Sequence, residues 1–557
     1  MEIMKKHLAF IILINNCLFT SGQNWKWGKQ AINSSNAASN WIAADKVGNA
    51  YICGGFNKRI IFSKDTLFSN GIDAFLVKYD TSGNEIWAKQ ALINDSNDYN
   101  GVNVDAVDDS GNVIITGFFN DTISFGSITL FHGGIFIVKY DPNGNVLWAR
   151  QSDKGTPATC GVACITSGIN NNIIITGGFS DTLIFGTTTL IPTKGFQNCF
   201  IAKYDPNGNL IWADQSIGRT VNSEIGSSSV STDRTGNIYI TGYLKDSAWF
   251  GTTKLYSSQG SMFLIKYNPM GNVIWAAQAS GQGNINSIVN DNFGSSYITG
   301  SFSSNISFGS ISLITTLPNS VFLVKYDSMG NAIWAESASN GTEWEGCTLS
   351  IDFNNHIYLA GFGNNDTITF GGSTFSDNKI YSTYKYCLPA FLIKLDTVGK
   401  ALCGSILHAG VYIEGNFGWV TGCSCPNGKF SYLAGSFSYD TLYCGYDSLI
   451  ADSTYDAYLV RLNDCNTSDG ISNIEKINVN FTVFPNPSYG IFNLDISQQP
   501  FAISSIEVYN EFGQKVYFQS KNQNSKSKID LTNQPDGIYT LKLKTENGII
   551  VKKLVIF

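Results

Sequence analysis

The chain repeats itself about every sixty residues, and this repeat limits the folds that the sequence can form. One segment combines an apolar run, a Gly-Asn turn and a Trp, and its full copies are FLVKYDTSGNEIWAKQ (75–90), FIVKYDPNGNVLWARQ (136–151), FIAKYDPNGNLIWADQ (200–215), FLIKYNPMGNVIWAAQ (263–278) and FLVKYDSMGNAIWAES (322–337). Two shorter copies follow, FLIKLDTVGKALCGS (391–405) and YLVRLNDC (458–465). A second element, of the type GNVIITGFF (111–119), alternates with the first, so the sequence contains seven repeats.

Each repeat has the pattern of antiparallel strands. FLVKY alternates at period two, and VIITG is a short β-branched run suited to a buried strand. The Asp141–Asn145 link is typical of a type I hairpin turn closed by a left-handed Gly144. A Trp at a fixed register, such as Trp87 or Trp148, is expected to pack between neighbouring sheets. We therefore predict four strands per repeat, with short D-T-x-x-F-G pieces after the second strand.

Seven four-stranded sheets predict an all-β fold, a β-propeller spanning residues 23–466. The last repeat stops at Cys465 without its Trp strand, whereas Trp27 lies 60 residues before Trp87, in step with the repeat. We expect this N-terminal strand to complete the last sheet, which would close the ring and cover a strand edge.

The first 22 residues have the pattern of a signal peptide. Lys5 and Lys6 precede an apolar run at Leu8–Phe19 that is too short to span a bilayer, and small residues at 20–22 suit cleavage before Gln23. Cys17 offers an alternative as a lipidated cysteine, although Asn16 fits a lipobox poorly. The rest of the chain has no run apolar enough to span a membrane.

A net charge of −7 and a pI near 5.2 argue against a nucleic-acid partner.

The repeat KYDxxGNxxWA followed by GNxYxTG resembles the bacterial β-propeller repeats of large exported proteins. The resemblance covers about residues 23–466 and implies a fold. It implies no activity, because propellers host many unrelated functions.

Residues 467–478 are a polar linker, and residues 479–557 read as alternating strands of a small β-sandwich. Several motifs follow in order to the C-terminus: P-N-P-x-x-G, V-Y-N-x-x-G-Q-x-V, G-I-Y-x-L-K and K-K-L-V-I. Their marker residues are Pro485, Asn486, Pro487, Gly490, Gly513, Gly537, Lys552 and Lys553. This tail resembles the type A C-terminal sorting domain of the type IX (Por) secretion system. The resemblance implies export through the periplasm, the type IX machinery as a partner, and secretion or display at the outer cell surface. A fibronectin-like adhesive module is the alternative.

Patterns typical of catalysis and of metal binding are scarce. His132, His356 and His408 fall in different repeats, without an H-E-x-x-H or a metal-type C-x-x-C motif. Asp141, Asn143 and Asn145 resemble part of a calcium loop, but the distal bidentate Glu is missing and a hairpin turn explains the same residues. We therefore predict no enzyme activity and no cofactor, with calcium as the only cofactor alternative.

Eleven cysteines remain after the predicted cleavage, and six of them lie between 387 and 465, where the Trp motif decays and Cys403 takes the Trp position. Disulfides could replace the lost packing there in an oxidising compartment. Cys160 and Cys164 are close enough in sequence to pair locally. Burial as small apolar residues is the alternative.

The connections from each Trp strand to the next repeat, such as 216–227, 279–287 and 338–347, vary while the strands repeat, and they should gather on one face of a propeller. Candidate binding residues in these connections are Tyr99, Arg219, Glu224, Glu343, Trp344 and Glu345. Trp344 could stack on a sugar or a cation, or pack between sheets.

The leading hypothesis for function is a binding or adhesion module whose ligand is a glycan or an extracellular protein. One alternative is a polysaccharide lyase or hydrolase that uses paired acids such as Glu343 and Glu345, although strand periodicity rarely opposes i and i+2 across a substrate. The other alternative is a structural component of a surface layer.

Overall fold

A computed structural model describes residues 25–557 except 34–36, 95–100, 154–159, 194–196, 219, 221–222, 340–343, 364–366, 377–388, 410–418, 425–429, 438–440, 445–446, 452–455, 463–481, 496–502, 511–514, 523–525 and 546–547. The predicted signal peptide and linker lie outside the described residues. The chain divides into two compact units, residues 1–465 and 466–557.

The first unit begins with β1 (Trp25–Asn33) and continues with four-stranded antiparallel sheets, which we call blades. Blade 1 contains β2 (Ala37–Ala44), β3 (Ala50–Ile61), β4 (Thr66–Tyr79) and β5 (Glu85–Asn94). Blade 2 contains β6 (Gly101–Val107), β7 (Val113–Phe119), β8 (Thr122–Phe125), β9 (Ile128–Phe131), β10 (Gly134–Tyr140) and β11 (Val146–Gln151). Blade 3 contains β12 (Cys160–Ser167), β13 (Ile173–Phe179), β14 (Leu183–Phe185), β15 (Thr188–Leu190), β16 (Asn198–Tyr204) and β17 (Leu210–Gln215), with a short 3₁₀ turn at Ile169–Asn171.

The second half of the ring repeats this plan with longer strands. Blade 4 contains β18 (Ile217–Gly218), β19 (Glu224–Thr232), β20 (Ile238–Phe250), β21 (Thr253–Tyr267) and the first part of β22 (Val273–Asn290). Blade 5 contains the rest of β22, β23 (Ser296–Phe308), β24 (Ile311–Ile314), β25 (Ser320–Tyr326) and β26 (Ala332–Ser337). Blade 6 contains β27 (Trp344–Ile351), β28 (Ile357–Gly363), β29 (Thr367–Phe370), β30 (Ser373–Ser376), β31 (Ala390–Leu395) and β32 (Ala401–Ala409). Blade 7 contains β33 (Trp419–Ser424), β34 (Ser431–Phe437), β35 (Thr441–Cys444), β36 (Asp447–Ile450) and β37 (Asp456–Leu462).

In the described residues, four strands pair side by side in each blade, hairpins join several blades into wider sheets, and the first strands contact one another in a closed cycle. This cycle runs β2, β6, β12, β19, β22, β27, β33 and back to β2. The all-β propeller predicted from the repeat is confirmed. β10, the third strand of blade 2, is buried throughout, whereas the outer β11 is partly exposed. The period-two alternation expected for segments of the FLVKY type is therefore wrong for this strand, because it packs on both faces.

The N-terminal strand closes the ring as predicted. β1 pairs antiparallel with β37, so it supplies the fourth strand of blade 7, with Gly28 opposite Val460. Trp25 and Trp27 are both buried by this pairing.

Short hairpins join each blade to the one before it. The end of β5 pairs with β8 of blade 2, and the end of β32 pairs with β35 of blade 7. The D-T-x-x-F-G pieces form these hairpins, including β8 with β9 and β29 with β30. Residues 279–287, which we expected to be a loop, lie within β22 because residues 279–281 pair with the hairpin part of β23.

The second unit is a two-sheet sandwich, as predicted. One sheet contains β38 (Thr482–Phe484), β39 (Ile491–Asp495) and β42 (Lys526–Asp530). The other contains β40 (Ile503–Tyr509), β41 (Lys515–Asn522), β43 (Gly537–Thr545) and β44 (Gly548–Ile556). Side chains from both sheets, among them Phe492, Val508 and Leu541, form one buried core.

Candidate functional site

The two edges of the ring differ in chemistry. In an antiparallel sheet, successive connections alternate between edges. We call the edge that carries the first-to-second and third-to-fourth strand turns the turn edge; in blade 1 these turns are 45–49 and 80–84. The opposite edge carries the second-to-third strand hairpins and the crossings to the next blade, and we call it the loop edge.

The turn edge is built by one repeated hydrogen-bond pattern. In the Asp141–Asn145 turn, Asp141 Oδ1 accepts from the amides of Asn143 and Asn145 at 2.9 and 2.8 Å, and Asn145 Nδ2 donates to Asp141 Oδ2 at 2.9 Å. Gly144 has φ +82°, as the predicted turn requires. The carboxylate and amide groups that resembled a calcium loop therefore hold a hairpin. Among the described residues, no group of three or more His, Cys, Asp or Glu could hold a metal ion.

Each of these turns also receives the Trp of the preceding blade. Trp87 Nε1 and Lys78 Nζ, both from blade 1, donate to the carbonyl of Pro142 in blade 2 at 3.1 and 3.0 Å. A Cβ on Gly144 would approach the Trp87 ring to 3.0 Å, so the contact needs glycine as much as the turn does. The predicted packing of Trp between sheets is confirmed.

The same pair of donors recurs around the ring. The accepting carbonyls are those of Pro206 for Trp148 and Lys139, Pro269 for Trp212 and Lys203, Ser328 for Trp275 and Lys266, and Thr397 for Trp334 and Lys325. At the closure, Trp27 and Arg461 both donate to the carbonyl of Thr81 in blade 1.

The lysines of this contact are buried beside acids of the first turn. Lys139 Nζ lies 2.7 Å from Asp108 Oδ2, and both side chains are almost fully buried. Burial by itself would raise the pKa of Asp108, but hydrogen bonds from Asn112 and Lys139 lower it overall. Burial lowers the pKa of Lys78, and Asp45 opposes that shift. These pairs belong to the scaffold, because a turn carbonyl and a carboxylate already occupy the ammonium groups of Lys78 and Lys139.

The histidines and cysteines do not form a reactive group in the described residues. His356 Nδ1 lies 2.9 Å from Asp352 Oδ2 within a turn, and His132 lies in a hairpin. His408 lies in β32, and its side chain is outside the described residues. Cys403, which takes the Trp position, is disulfide-bonded, in line with the expectation that disulfides replace packing there.

The suggested Cys160–Cys164 pairing is wrong, because both thiols are free and buried. Cys164 Sγ lies 3.7 Å from Ser229 Oγ of blade 4. Cys160 instead packs in the apolar core between blades 2 and 3. Burial raises the pKa of the Cys160 thiol to about 12.

The sequence-predicted binding residues are only partly described. Tyr99, Arg219 and Glu343 lie outside the described residues, as does the side chain of Trp344, whose backbone begins β27. Glu224 is exposed at the start of β19, and Glu345 is half-buried in β27. Both carboxylates border one groove, because Glu345 Oε1 accepts from Asn319 Nδ2 at 2.7 Å and Glu224 lies close enough to Tyr243 to raise the pKa of its hydroxyl, after burial as the larger cause.

This groove lies on the loop edge where blades 4 and 5 meet, and we call it the polar groove. Its larger chamber has a volume of about 820 Å³ and is lined by residues 256–261, 278–282 and 303–305. Its smaller chamber, of about 360 Å³, shares Gln259, Gly260, Gly281, Gln282 and Ser303 with the first and adds Tyr243, Asn284, Ser301, Phe302, Pro318 and Asn319. The shared residues place the two chambers side by side.

The lining of the polar groove carries no charged side chain, although the chain as a whole has 79 charged residues. It consists mostly of Ser, Gln, Asn and Gly, with Tyr256 in the larger chamber and Tyr243 and Phe302 in the smaller one. The exposed amide side chains of Gln259, Gln282 and Asn305 have no hydrogen-bond partner among the described residues. Donors and acceptors on both walls are therefore available to a ligand.

The walls themselves are fixed by hydrogen bonds. Gln278 Nε2 donates to the carbonyl of Tyr256 at 2.8 Å, and Ser261 Oγ donates to the carbonyl of Ala279 at 2.6 Å. Gly260 has φ +92°, and a side chain there would collide with the Tyr243 hydroxyl. Sequence reasoning missed these residues because SSQGS (257–261) and ASGQGN (279–284) resemble ordinary polar linkers. The one available signal was their lack of charge on an exposed surface.

In the second unit, the P-N-P segment binds the outer edge of the last strand. Asn486 Nδ2 donates to the carbonyl of Lys553 at 2.7 Å, and the amide of Val555 donates to Asn486 Oδ1 at 2.9 Å. The amide of Ser488 donates to the Val555 carbonyl at 2.9 Å, and Gly490 accepts from Leu531 at 2.7 Å. The motif thereby covers part of an otherwise open strand edge. Gly537 begins β43, Lys552 and Lys553 lie on β44, and Gly513 is outside the described residues.

Residues 482–557 match the family model of the secretion system C-terminal sorting domain. The protein is therefore carried by the type IX secretion system to the outer surface of the cell. No helix within the described parts of the chain is long and apolar enough to cross a membrane.

The rest of the chain has only distant relatives among those found. An uncharacterized WD repeat-containing protein of Acanthamoeba polyphaga mimivirus is 26% identical over 496 residues, covering 71% of this chain; the chain spans about a third (34%) of the relative. Among solved structures, Kuenenia stuttgartiensis hydrazine synthase matches with a TM-score of 0.40 and 8% identity, covering 72% of this chain and 94% of that one. A protein of unknown function from Bacteroides caccae matches with a TM-score of 0.29 and 13% identity, covering 56% and 90%. TM-scores this low support no argument about function.

Proposed function

We propose that this protein is a binding module that the type IX system delivers to the cell surface, and that it holds its ligand in the polar groove. The observation that carries the proposal is the set of exposed, unpartnered amides on facing walls of a groove fixed by hydrogen bonds. Binding sites combine a rigid scaffold with a few convergent polar groups, and loops supply most of those groups.

The proposal is for binding without catalysis. Glu345, one of the acids considered for a hydrolase or lyase, is engaged by Asn319 at the rim of the groove. The polar groove itself presents amides and hydroxyls, which are suited to hydrogen bonding and poorly suited to general acid–base chemistry near neutral pH.

The test is binding of the full secreted chain to an array of glycans and extracellular proteins. Ser280→Trp places a large side chain in the larger chamber and should abolish specific binding. Ser82→Trp makes the same change at an exposed position on the turn edge and should leave binding intact. Equal binding by both variants would refute the groove as the ligand site, and a folded wild-type chain without any specific hit would refute the binding role.

A further inference from the structure

We infer that the ligand of the polar groove is a segment of an uncharged polysaccharide. This inference rests on the proposed function and names the class of molecule that the groove takes. Four observations support it: the absence of charge in the lining, the type of free polar group, the position of the tyrosines, and the size and adjacency of the two chambers.

The charge of the site selects against ionic ligands. Neither chamber has a basic side chain to pair with a carboxylate, sulfate or phosphate group on a ligand. Glu345 borders the smaller chamber through its hydrogen bond from Asn319, so an anionic polymer would meet like charge there. A charged ligand would find no partner for its charge in this site, and burying an unpaired charge is costly. The ligand must therefore be neutral.

The polar groups of the site suit hydroxyls. An amide side chain both donates and accepts hydrogen bonds, as a sugar hydroxyl does. One amide can therefore accept a hydrogen bond from a hydroxyl or donate one to it. Gln259 and Asn305 present free amides from the hairpins of blades 4 and 5, and Gln282 presents another from the crossing between them. A ligand lying in the groove would meet such groups from both sides.

The aromatic residues suit the remaining surface of a sugar ring. A pyranose has apolar C–H faces besides its hydroxyls, and an exposed aromatic ring covers such a face with little entropy loss. Tyr256 is 58% exposed at the larger chamber, and its backbone carbonyl is held by Gln278. Tyr243 is half-buried at the smaller chamber, where Gly260 leaves room for its hydroxyl.

The size of the groove favours a chain over a single sugar. The larger chamber alone, at about 820 Å³, lies in the upper part of the usual range for small-molecule sites, roughly 300–1,000 Å³. The smaller chamber lies directly beside it, because both are lined by Gln259 and Gln282. A linear ligand could therefore contact Tyr256 and Tyr243 together.

The experiment is affinity electrophoresis of the full secreted chain in gels that contain single polysaccharides. The neutral probes are xyloglucan, mixed-linkage glucan and galactomannan, and the anionic probes are polygalacturonate and alginate. We expect at least one neutral polymer to retard the chain and neither anionic polymer to do so. Tyr256→Ala should weaken binding about tenfold, whereas Tyr256→Phe, which keeps the ring, should bind as the parent does.

The double substitution Gln259→Ala, Gln282→Ala should weaken binding further, while Asn143→Ala, an amide deletion on the turn edge, should not change it. Because these side chains are exposed, their loss should leave the melting temperature unchanged, and a melt of each variant verifies this. The inference is overturned if no neutral polymer binds, if anionic polymers bind equally, or if the groove variants bind as the parent does. Binding of a protein that Ser280→Trp abolishes would overturn the inference and leave the proposed function standing.

Discussion

The turn edge and the loop edge are built from the same strands, yet they use their polar side chains in opposite ways. On the turn edge, the side-chain amide of Asn145 is bonded to Asp141, and the Pro142 carbonyl accepts from Trp87 and Lys78. On the loop edge, the amides of Gln259 and Gln282 have no partner among the described residues. The difference indicates that the turn edge supplies stability between blades and that the polar groove is left free to bind.

The largest effect should follow from removing the closing strand. Deletion of residues 23–30 removes most of β1, including Trp25 and Trp27, from blade 7 and breaks the contact with Thr81. Burial of a single Trp is worth about 3–5 kcal/mol, so the free energy of unfolding should fall by more than ~5 kcal/mol in urea titrations. Lys26→Ala, an exposed change on the same strand, should have almost no effect. An unchanged unfolding curve for the deletion would contradict closure of the ring by β1.

The next largest effect should follow from opening one contact between blades. Trp148→Ala removes a ring that is 9% exposed and its bond to Pro206, and it should lower the free energy of unfolding by about 3–5 kcal/mol. Trp148→Phe keeps most of the apolar contact and should cost less. Tyr256→Ala, at the loop edge, should cost about 0.5 kcal/mol or less, because its ring is largely exposed. If Trp148→Ala and Tyr256→Ala proved equally destabilising in urea titrations, the turn edge could not be assigned the stabilising role.

Lowering the pH should destabilise the turn edge before it affects the polar groove. Burial by itself would raise the pKa of Asp141, Asp205 and Asp327, but hydrogen bonds from the Asn side chain and the turn amides together lower it below the ordinary value of 3.8. A carboxyl whose pKa is lowered on folding stabilises the fold above its unfolded pKa, and that contribution is lost as pH falls through the folded pKa.

The free energy of unfolding, measured by urea titration at several pH values, should therefore decrease as pH falls below about 4. Asp141→Asn removes one titrating group and should make this decrease less steep. A decrease that is equally steep in Asp141→Asn would mean that the turn carboxylates do not contribute.

The smallest effect should come from a pair of substitutions that delete the same functional group, a side-chain amide, from each edge. This pair gives the closest comparison of the two edges. Asn145→Ala removes a bonded amide and should lower the free energy of unfolding by about 0.5–1.5 kcal/mol. Gln282→Ala removes a free amide and should change it by less than about 0.5 kcal/mol. Equal losses in urea titrations of the two variants would show that Gln282 is engaged by the protein after all.

The regular part of this structure is readable from the sequence because it repeats. The register of Trp87 and Trp148, the left-handed Gly144 and the displaced strand around Trp27 all follow from comparing copies of one segment. The type IX sorting tail is readable for the same kind of reason, since its motifs keep their order to the C-terminus.

The polar groove could not be predicted in this way, because it forms where two blades differ from the others. Tyr256, Gln282 and Asn305 come from separate strands and share no spacing that a periodic pattern could reveal. The ion pair of Lys139 with Asp108 could not be predicted from the sequence either, since the lysine lies inside an apolar run and its partner is 31 positions away. Choosing residues by unusual type identified Glu224 and Glu345 at the rim, while the lining consists of the commonest loop residues.

Hydrogen exchange of the full chain, with and without a mixture of xyloglucan, mixed-linkage glucan and galactomannan, tests the division between the edges most directly. The ligand should slow exchange in peptides covering 256–261, 278–284 and 303–305. Turn-edge peptides such as 141–145 and 205–209 should exchange alike in both conditions. Slowed exchange confined to the turn edge, or no change in any peptide, would contradict this division between the edges.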